Sequence, residues 1–267
     1  MQKIKKYKIA VLVLGAVVAL EAMYIGFLLS RPMKKIIKIQ ARPSLVTKAK
    51  GRICIVLDDW GYTLSNMHFL DEIKRPLTLS VLPNLAYSKT VARDASLKGY
   101  EVILHLPMQP HEKYNLEKNT ILISMGEHTI KRILDQDLEN LGFAKGVSNH
   151  MGSLATENSR VMSVILAHLR KRKLYYLDSF VSQKSVCHDL AAKISEPCLK
   201  RDVFLDNKAD PLYIRGQLEE LKNKAGAHGQ AIGIGHDRKL TLEVLKQMIP
   251  EIEKEGYRFV FASELIE

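Results

Sequence analysis

Short apolar runs at 53–57, 77–82, 102–106, 146–148, 174–177, 231–234 and 258–261 alternate with longer stretches whose apolar residues recur at three- and four-residue spacing. That alternation leaves few folds open. The runs are apolar on both faces, so both must be covered, which is the condition of a parallel sheet. The stretches at 87–98, 127–141, 158–172, 211–224 and 241–255 are charged on one side and apolar on the other, which predicts helices packed outside that sheet. Periodicity does not separate a closed barrel from an open doubly wound sheet, and both stay open at this point.

The 267 residues suffice for one large α/β domain. A net charge of +11 would suit a nucleic-acid partner if it were spread over the folded body. It is concentrated instead: residues 1–52 hold twelve Lys and Arg against the single acid Glu21, and the remaining 215 residues balance. A neutral body without interleaved basic and aromatic residues argues against nucleic acid, whereas basic flanks around an apolar run suit lipid headgroups.

From Ile9 to Leu29 the only charged residue is Glu21, and Lys3, Lys5, Lys6 and Lys8 precede the run. A positive leader feeding about twenty apolar residues reads as a signal anchor or signal peptide over 1–30, long enough to form one transmembrane helix. No small-x-small cleavage site precedes Arg31 and Pro32, which favours an uncleaved anchor. Residues 31–50 read as a basic linker and 51–267 as the folded body. Signal-like order puts that body outside the cytoplasmic membrane, in the periplasm of a Gram-negative cell. Lys34, Lys35 and Lys38 after the run leave an inverted anchor as the competing topology. Nothing in the sequence sets an oligomeric state. Cys54 reads as buried filler, and a helix-like stretch between Cys187 and Cys198 would hold their sulfurs apart, so no disulfide is expected.

Polar residues with metal or acid/base capacity follow the apolar runs, where α/β folds gather their sites: Asp58 and Asp59, then His105, His150, Asp178 and His236. Two histidines and one aspartate can supply three ligands to Zn²⁺ or a similar divalent ion and leave a position for water. Neighbouring side chains on a strand end point in different directions, so one of Asp58 and Asp59 binds metal while the other takes a proton from water. His236 is the complementary acid, because protonating a leaving amine needs a group that titrates near neutrality. Each residue alone reads as a strand end or a packed side chain; the joint placement carries the functional reading. His68, His128, His168, His188 and His228 lack it, and His111, beside Pro107 and Pro110, is at most a residue that shapes the pocket.

The segments Ile-Val-Leu-Asp-Asp-Trp-Gly (55–61), Gly-Tyr-Glu-Val-Ile-Leu-His-Leu-Pro-Met-Gln-Pro (99–110), Asn-His-Met-Gly-Ser (149–153), Leu-Asp-Ser (177–179), Arg-Asp-Val-Phe-Leu-Asp-Asn (201–207) and Ile-Gly-Ile-Gly-His (232–236) carry a resemblance. Together they resemble the divergent polysaccharide deacetylases, a branch of the polysaccharide deacetylase superfamily of carbohydrate esterases, over 52–267. The resemblance implies a distorted (β/α) barrel of about seven strands and metal-assisted attack of water on an N- or O-acetyl group. It implies Asp58 as general base, Asp59 and His105 as metal ligands and His236 as acid. Better-known superfamily members have a second metal histidine four residues after the first, where this chain has Gln109, and an Arg-Pro-Pro-type motif where it has Asn149, His150 and Met151. His150 is therefore expected to restore the third ligand, with zinc the expected ion. Gln109, Asp178, Arg201 and Asp206 are expected to bind substrate or support the site.

The expected function is a metal-dependent hydrolase that removes acetyl groups from an envelope or extracellular carbohydrate, an acetylated glycan being its partner. The alternative is a non-catalytic glycan-binding or envelope-scaffolding protein on the same fold, which would not require Asp58 and His236.

Overall fold

The computed structural model describes Met23 and residues 49–266. The expected anchor and nearly all of the linker lie outside the described residues. Among those described, no helix is long and apolar enough to cross a membrane.

The elements follow in the order β1 (Arg52–Trp60), α1 (His68–Ile73), β2 (Thr78–Val81), α2 (Ser88–Leu97), β3 (Glu101–Met108), α3 (Glu127–Leu141), β4 (Gly146–Met151) and α4 (Ser159–Arg172). Then come β5 (Tyr175–Asp178), α5 (Cys187–Ile194), β6 (Cys198–Lys200), β7 (Val203–Phe204), α6 (Pro211–His228), β8 (Gln230–His236), α7 (Lys239–Lys254), β9 (Arg258–Val260) and a 3₁₀ turn at Ala262–Leu265. Two helix starts carry side-chain caps: Asn158 accepts from Val161 N before α4, and Asp210 accepts from Leu212 N before α6, whose first residue is Pro211.

All strand pairs are parallel, in the order β6-β5-β4-β3-β2-β1-β8-β7, with β9 on the first residues of β1. The two ends of this order are joined by one stretch of chain. β6 pairs with β5; Arg201 N then donates to Asp178 O at 3.1 Å, Asp202 N donates to Ile232 O at 2.9 Å, and β7 pairs with β8. β6 and β7 thus behave as one bent strand between β5 and β8, consistent with the distorted barrel that the resemblance implies.

Side chains alternate along each strand and divide the core into two layers. Ile53, Ile55 and Leu57 of β1 pack toward the helices, against residues such as Leu134, Leu166, Leu218 and Leu245. Cys54 and Val56 turn the other way, into the sheet's concave interior, with Ile103, Leu177, Ile232 and Ile234. The three cysteines are free.

Helix α6 approaches β8 closely at Gly233, where a Cβ would lie 2.6 Å from Leu221 Cδ2 and 3.2 Å from Leu205 Cδ2. Gly233→Ala is expected to cost about 1–3 kcal/mol by overpacking. The measurement is the urea midpoint at unchanged slope; an unmoved midpoint would mean that α6 yields freely.

Candidate active site

The inward series of each strand ends in polar residues. Asp58 continues Cys54 and Val56, His105 continues Ile103, and His236 continues Ile232 and Ile234. Ser148 and His150 alternate with Val147, and Ser80 with Leu79 and Val81, all three apolar residues belonging to the outer layer. The register sets Asp58 beside His236 and His105 beside Ser148. One periodicity therefore gathers residues from β1, β2, β3, β4 and β8 at the C-terminal end of the sheet.

Strict alternation would turn Asp59 outward, toward the helices. The pairing of β1 with β2 slips instead: Leu57 lies opposite Leu79, but Trp60 lies opposite Val81, so β1 holds one extra residue. Asp59 sits in that bulge with φ 65, a left-handed conformation that aspartate tolerates better than most residues. The expectation that the neighbouring carboxylates point different ways is thus corrected. Asp59 Oδ1 lies 3.3 Å and Asp58 Oδ2 3.7 Å from the same nitrogen, His105 Nε2.

Asp59 Oδ1 also lies 3.1 Å from His150 Nδ1, and the two ring nitrogens are 3.3 Å apart. Asp59, His105 and His150 form a group whose ligand atoms fall within 4.8 Å of one another. Asp59 Oδ1 is buried and makes no hydrogen bond. One carboxylate oxygen and two imidazole nitrogens converging in this way fit a divalent cation, and a buried carboxylate oxygen is costly without a partner.

The rings are held from behind. His105 Nδ1 is 2.9 Å from Ser148 Oγ, which is 2.7 Å from Ser80 Oγ. His236 Nδ1 donates to Asp206 Oδ1 at 2.8 Å, while Asp206 Oδ2 accepts from His236 N at 2.9 Å and Thr241 Oγ1 at 2.7 Å. That leaves His236 Nε2 facing the cluster, 3.8 Å from Asp59 Oδ2.

Burial raises the Asp58 carboxyl above its ordinary range, against the lowering pull of His105. Burial acts the same way on Asp59, but its contacts with His105 and His150 outweigh it and hold that carboxyl far below the range. Two adjacent aspartates are thereby driven apart, one toward proton uptake and one toward a permanent charge. Burial alone would depress His236; the hydrogen bond and charge of Asp206 reverse this and raise it.

Of the other residues singled out in the sequence, Asp206 holds His236 and four lie outside the cluster. Asp178 shares the parity of Tyr176, which faces the helices, and its oxygens accept from Phe180 N at 2.8 Å and Ser185 Oγ at 2.6 Å. Arg201 donates to the carbonyls of Ser179 at 2.7 Å and Phe180 at 2.9 Å. Gln109 Oε1 accepts from Ile123 N at 2.8 Å. His111 pairs with Glu157 at 3.1 Å. Sequence reasoning missed Ser80, Ser148 and Glu117. The serines were signalled by polar residues at inward positions of apolar strands. Glu117, in the loop after β3, carried no such signal.

Residues 55–266 match the family described as divergent polysaccharide deacetylase. An uncharacterized protein, YibQ of Escherichia coli, is 35% identical over 199 residues, which cover 74% of this chain and 62% of that protein's length. An uncharacterized protein from Agrobacterium tumefaciens C58 shares the fold with a TM-score of 0.78 at 23% identity, covering 84% of this chain and 92% of its own. A family 4 carbohydrate esterase from Streptomyces lividans, in complex with acetate, does so with a TM-score of 0.53 at 14% identity, covering 79% and 92%.

Proposed function

Because the chain belongs to the divergent polysaccharide deacetylase family, we propose that it is a metal-dependent hydrolase that removes acetyl groups from a carbohydrate of the cell envelope or exterior. The observation that carries this reading is the Asp59–His105–His150 group, set beside one carboxylate and one imidazole free to move protons. The fold shared with an esterase whose structure contains acetate supports it.

Asp59 Oδ1, His105 Nε2 and His150 Nδ1 would hold the ion. When bound, a divalent cation such as Zn²⁺ supplies Lewis-acid polarisation of the acetyl carbonyl and acidifies water. The remaining work falls to the chain. Asp58 Oδ1, buried and without a hydrogen bond, accepts the proton of the attacking water as its oxygen adds to the carbonyl carbon. His236 Nε2 gives a proton to the sugar nitrogen or oxygen as its bond to the acyl carbon breaks, and acetate leaves. Asp206 holds the opposite ring nitrogen through that transfer, in the manner of a base-orienting carboxylate.

The test is metal content by elemental analysis of the full chain and of His150→Ala, with acetate release from acetylated chito-oligosaccharides. Near-stoichiometric metal in the wild type, lost in the variant, together with acetate release is the expected result. A metal-free and inactive wild type would overturn the proposal and leave the glycan-binding alternative. We place the body outside the cytoplasm from the order of charge and apolar residues in 1–30; a C-terminal reporter active only in the cytoplasm would reject that placement.

A further inference from the structure

We propose that Glu117 is a positioning residue that fixes which nitrogen His150 offers to the Asp59–His105 pair, an inference that rests on the metal-dependent reading above. A neutral imidazole carries its proton on either nitrogen, and a ligand nitrogen must be the bare one. For His105 the choice is tied to Ser148, and for His236 to Asp206. No strand among the described residues supplies such a partner to His150 Nε2.

What stands behind it comes from a loop. Glu117 Oε1 lies 3.3 Å from His150 Nε2, a buried nitrogen with no hydrogen bond, and Glu117 Oε2 is likewise buried and unpartnered. A carboxylate oxygen at that place is the acceptor that a proton on Nε2 needs. With an ion in the group Nδ1 must be bare, and this is the nitrogen 3.1 Å from Asp59 Oδ1 and 3.3 Å from His105 Nε2. Glu117 is not itself a member of the three-residue group.

The loop is fastened well enough for this task. Tyr62, just past β1, donates to Glu117 Oε1 at 3.1 Å. At the loop's base Gln109 N donates to Ile121 O at 2.9 Å, and Gln109 Oε1 accepts from Ile123 N at 2.8 Å. Arg160 Nη1 of α4 donates to Met125 O at 2.8 Å. Gln109 thus serves the cluster at one remove, by anchoring the segment that brings Glu117 to it.

The experiment compares the full chain with Glu117→Ala, Glu117→Gln and Tyr62→Phe in two readouts. Long-range ¹H–¹⁵N spectra of the zinc-loaded protein report which ring nitrogen of His150 carries the proton and which faces the ion, assigned by its loss in His150→Ala. Competition with a chromophoric chelator reports zinc affinity. The expected wild-type ring carries its proton on Nε2. Glu117→Ala shifts the proton toward Nδ1 and weakens zinc about 10- to 100-fold, the usual effect of removing a partner of a ligand histidine. Glu117→Gln, whose amide oxygen still accepts, restores the tautomer and most of the affinity, and Tyr62→Phe shifts both slightly in the direction of Glu117→Ala. Wild-type tautomer and affinity in Glu117→Ala would overturn the proposal, as would a Glu117→Gln variant no better than alanine. A wild-type chain that binds no zinc would instead overturn the metal-dependent reading, whatever the ring signal does.

Discussion

Asp59→Asn is expected to strip the divalent ion from the protein and to lower kcat/KM for acetate release by about 10³-fold or more, roughly 4 kcal/mol of transition-state stabilisation. The loss is attributable to the ligand because asparagine tolerates φ 65 as aspartate does, so the bulge that presents residue 59 survives the substitution. Alanine would confound the two. Asp58→Asn is the informative partner: burial raises the carboxyl it removes, whose Oδ1 makes no hydrogen bond. Metal content should then stay at the wild-type level while kcat falls by about 10²- to 10⁴-fold, the usual worth of a general base. Elemental analysis and acetate assays on the same preparations read both. Equal metal loss in the two variants would sink the division of labour between the neighbouring aspartates.

The second large effect belongs to His236. His236→Ala should lower kcat by about 10²- to 10⁴-fold with little change in KM, because the ring acts on the departing group and not on the ground state. Its protonation makes the case specific. The acid must be charged to donate, so activity falls as pH rises through the His236 pKa, which the contact with Asp206 raises above the ordinary 6.5 against the depressing effect of burial. Asp206→Asn keeps the shape of the contact and removes its charge, leaving only the weaker pull of Asp59 and Asp58 against burial. The alkaline limb of the pH profile of kcat should therefore move to lower pH. An alkaline limb that stays in place would show that another group donates the proton.

The parts of this architecture that a sequence displays are those set by repeated local rules. Helix α3 spans the same residues, 127–141, that the three- and four-residue spacing predicts, since a long amphipathic face is a redundant signal. The short pieces β6 and β7 carry no periodicity, so the seam of the barrel is invisible until Cys198–Phe204 is seen bonded to a strand on either side. Helix α1, six residues with no side-chain cap, gives no boundary to read. Strand ends were enough to bring Asp58, His105, His150 and His236 to one place, but two details depended on parity. Asp178 sits on the outward phase of β5, one residue from Leu177, which faces inward. Asp59 should have shared Asp178's exclusion, and only the bulge returns it to the interior. Glu117 depended on a loop path, which no residue pattern specifies.

The arrangement of strands also sets an order in time. Asp59, His105 and His150 stand on β1, β3 and β4, in a contiguous block of the sheet whose members are all synthesised within the first 151 residues. His236 stands on β8, which fills the other edge of β1 from far along the chain, with Asp58 opposite His236. Contacts of such sequence separation form late, after the loop between them has been closed. On the roles proposed above, a nascent chain gathers the atoms suited to hold an ion before the proposed proton donor arrives, and the last strands to pair are the ones that complete the site.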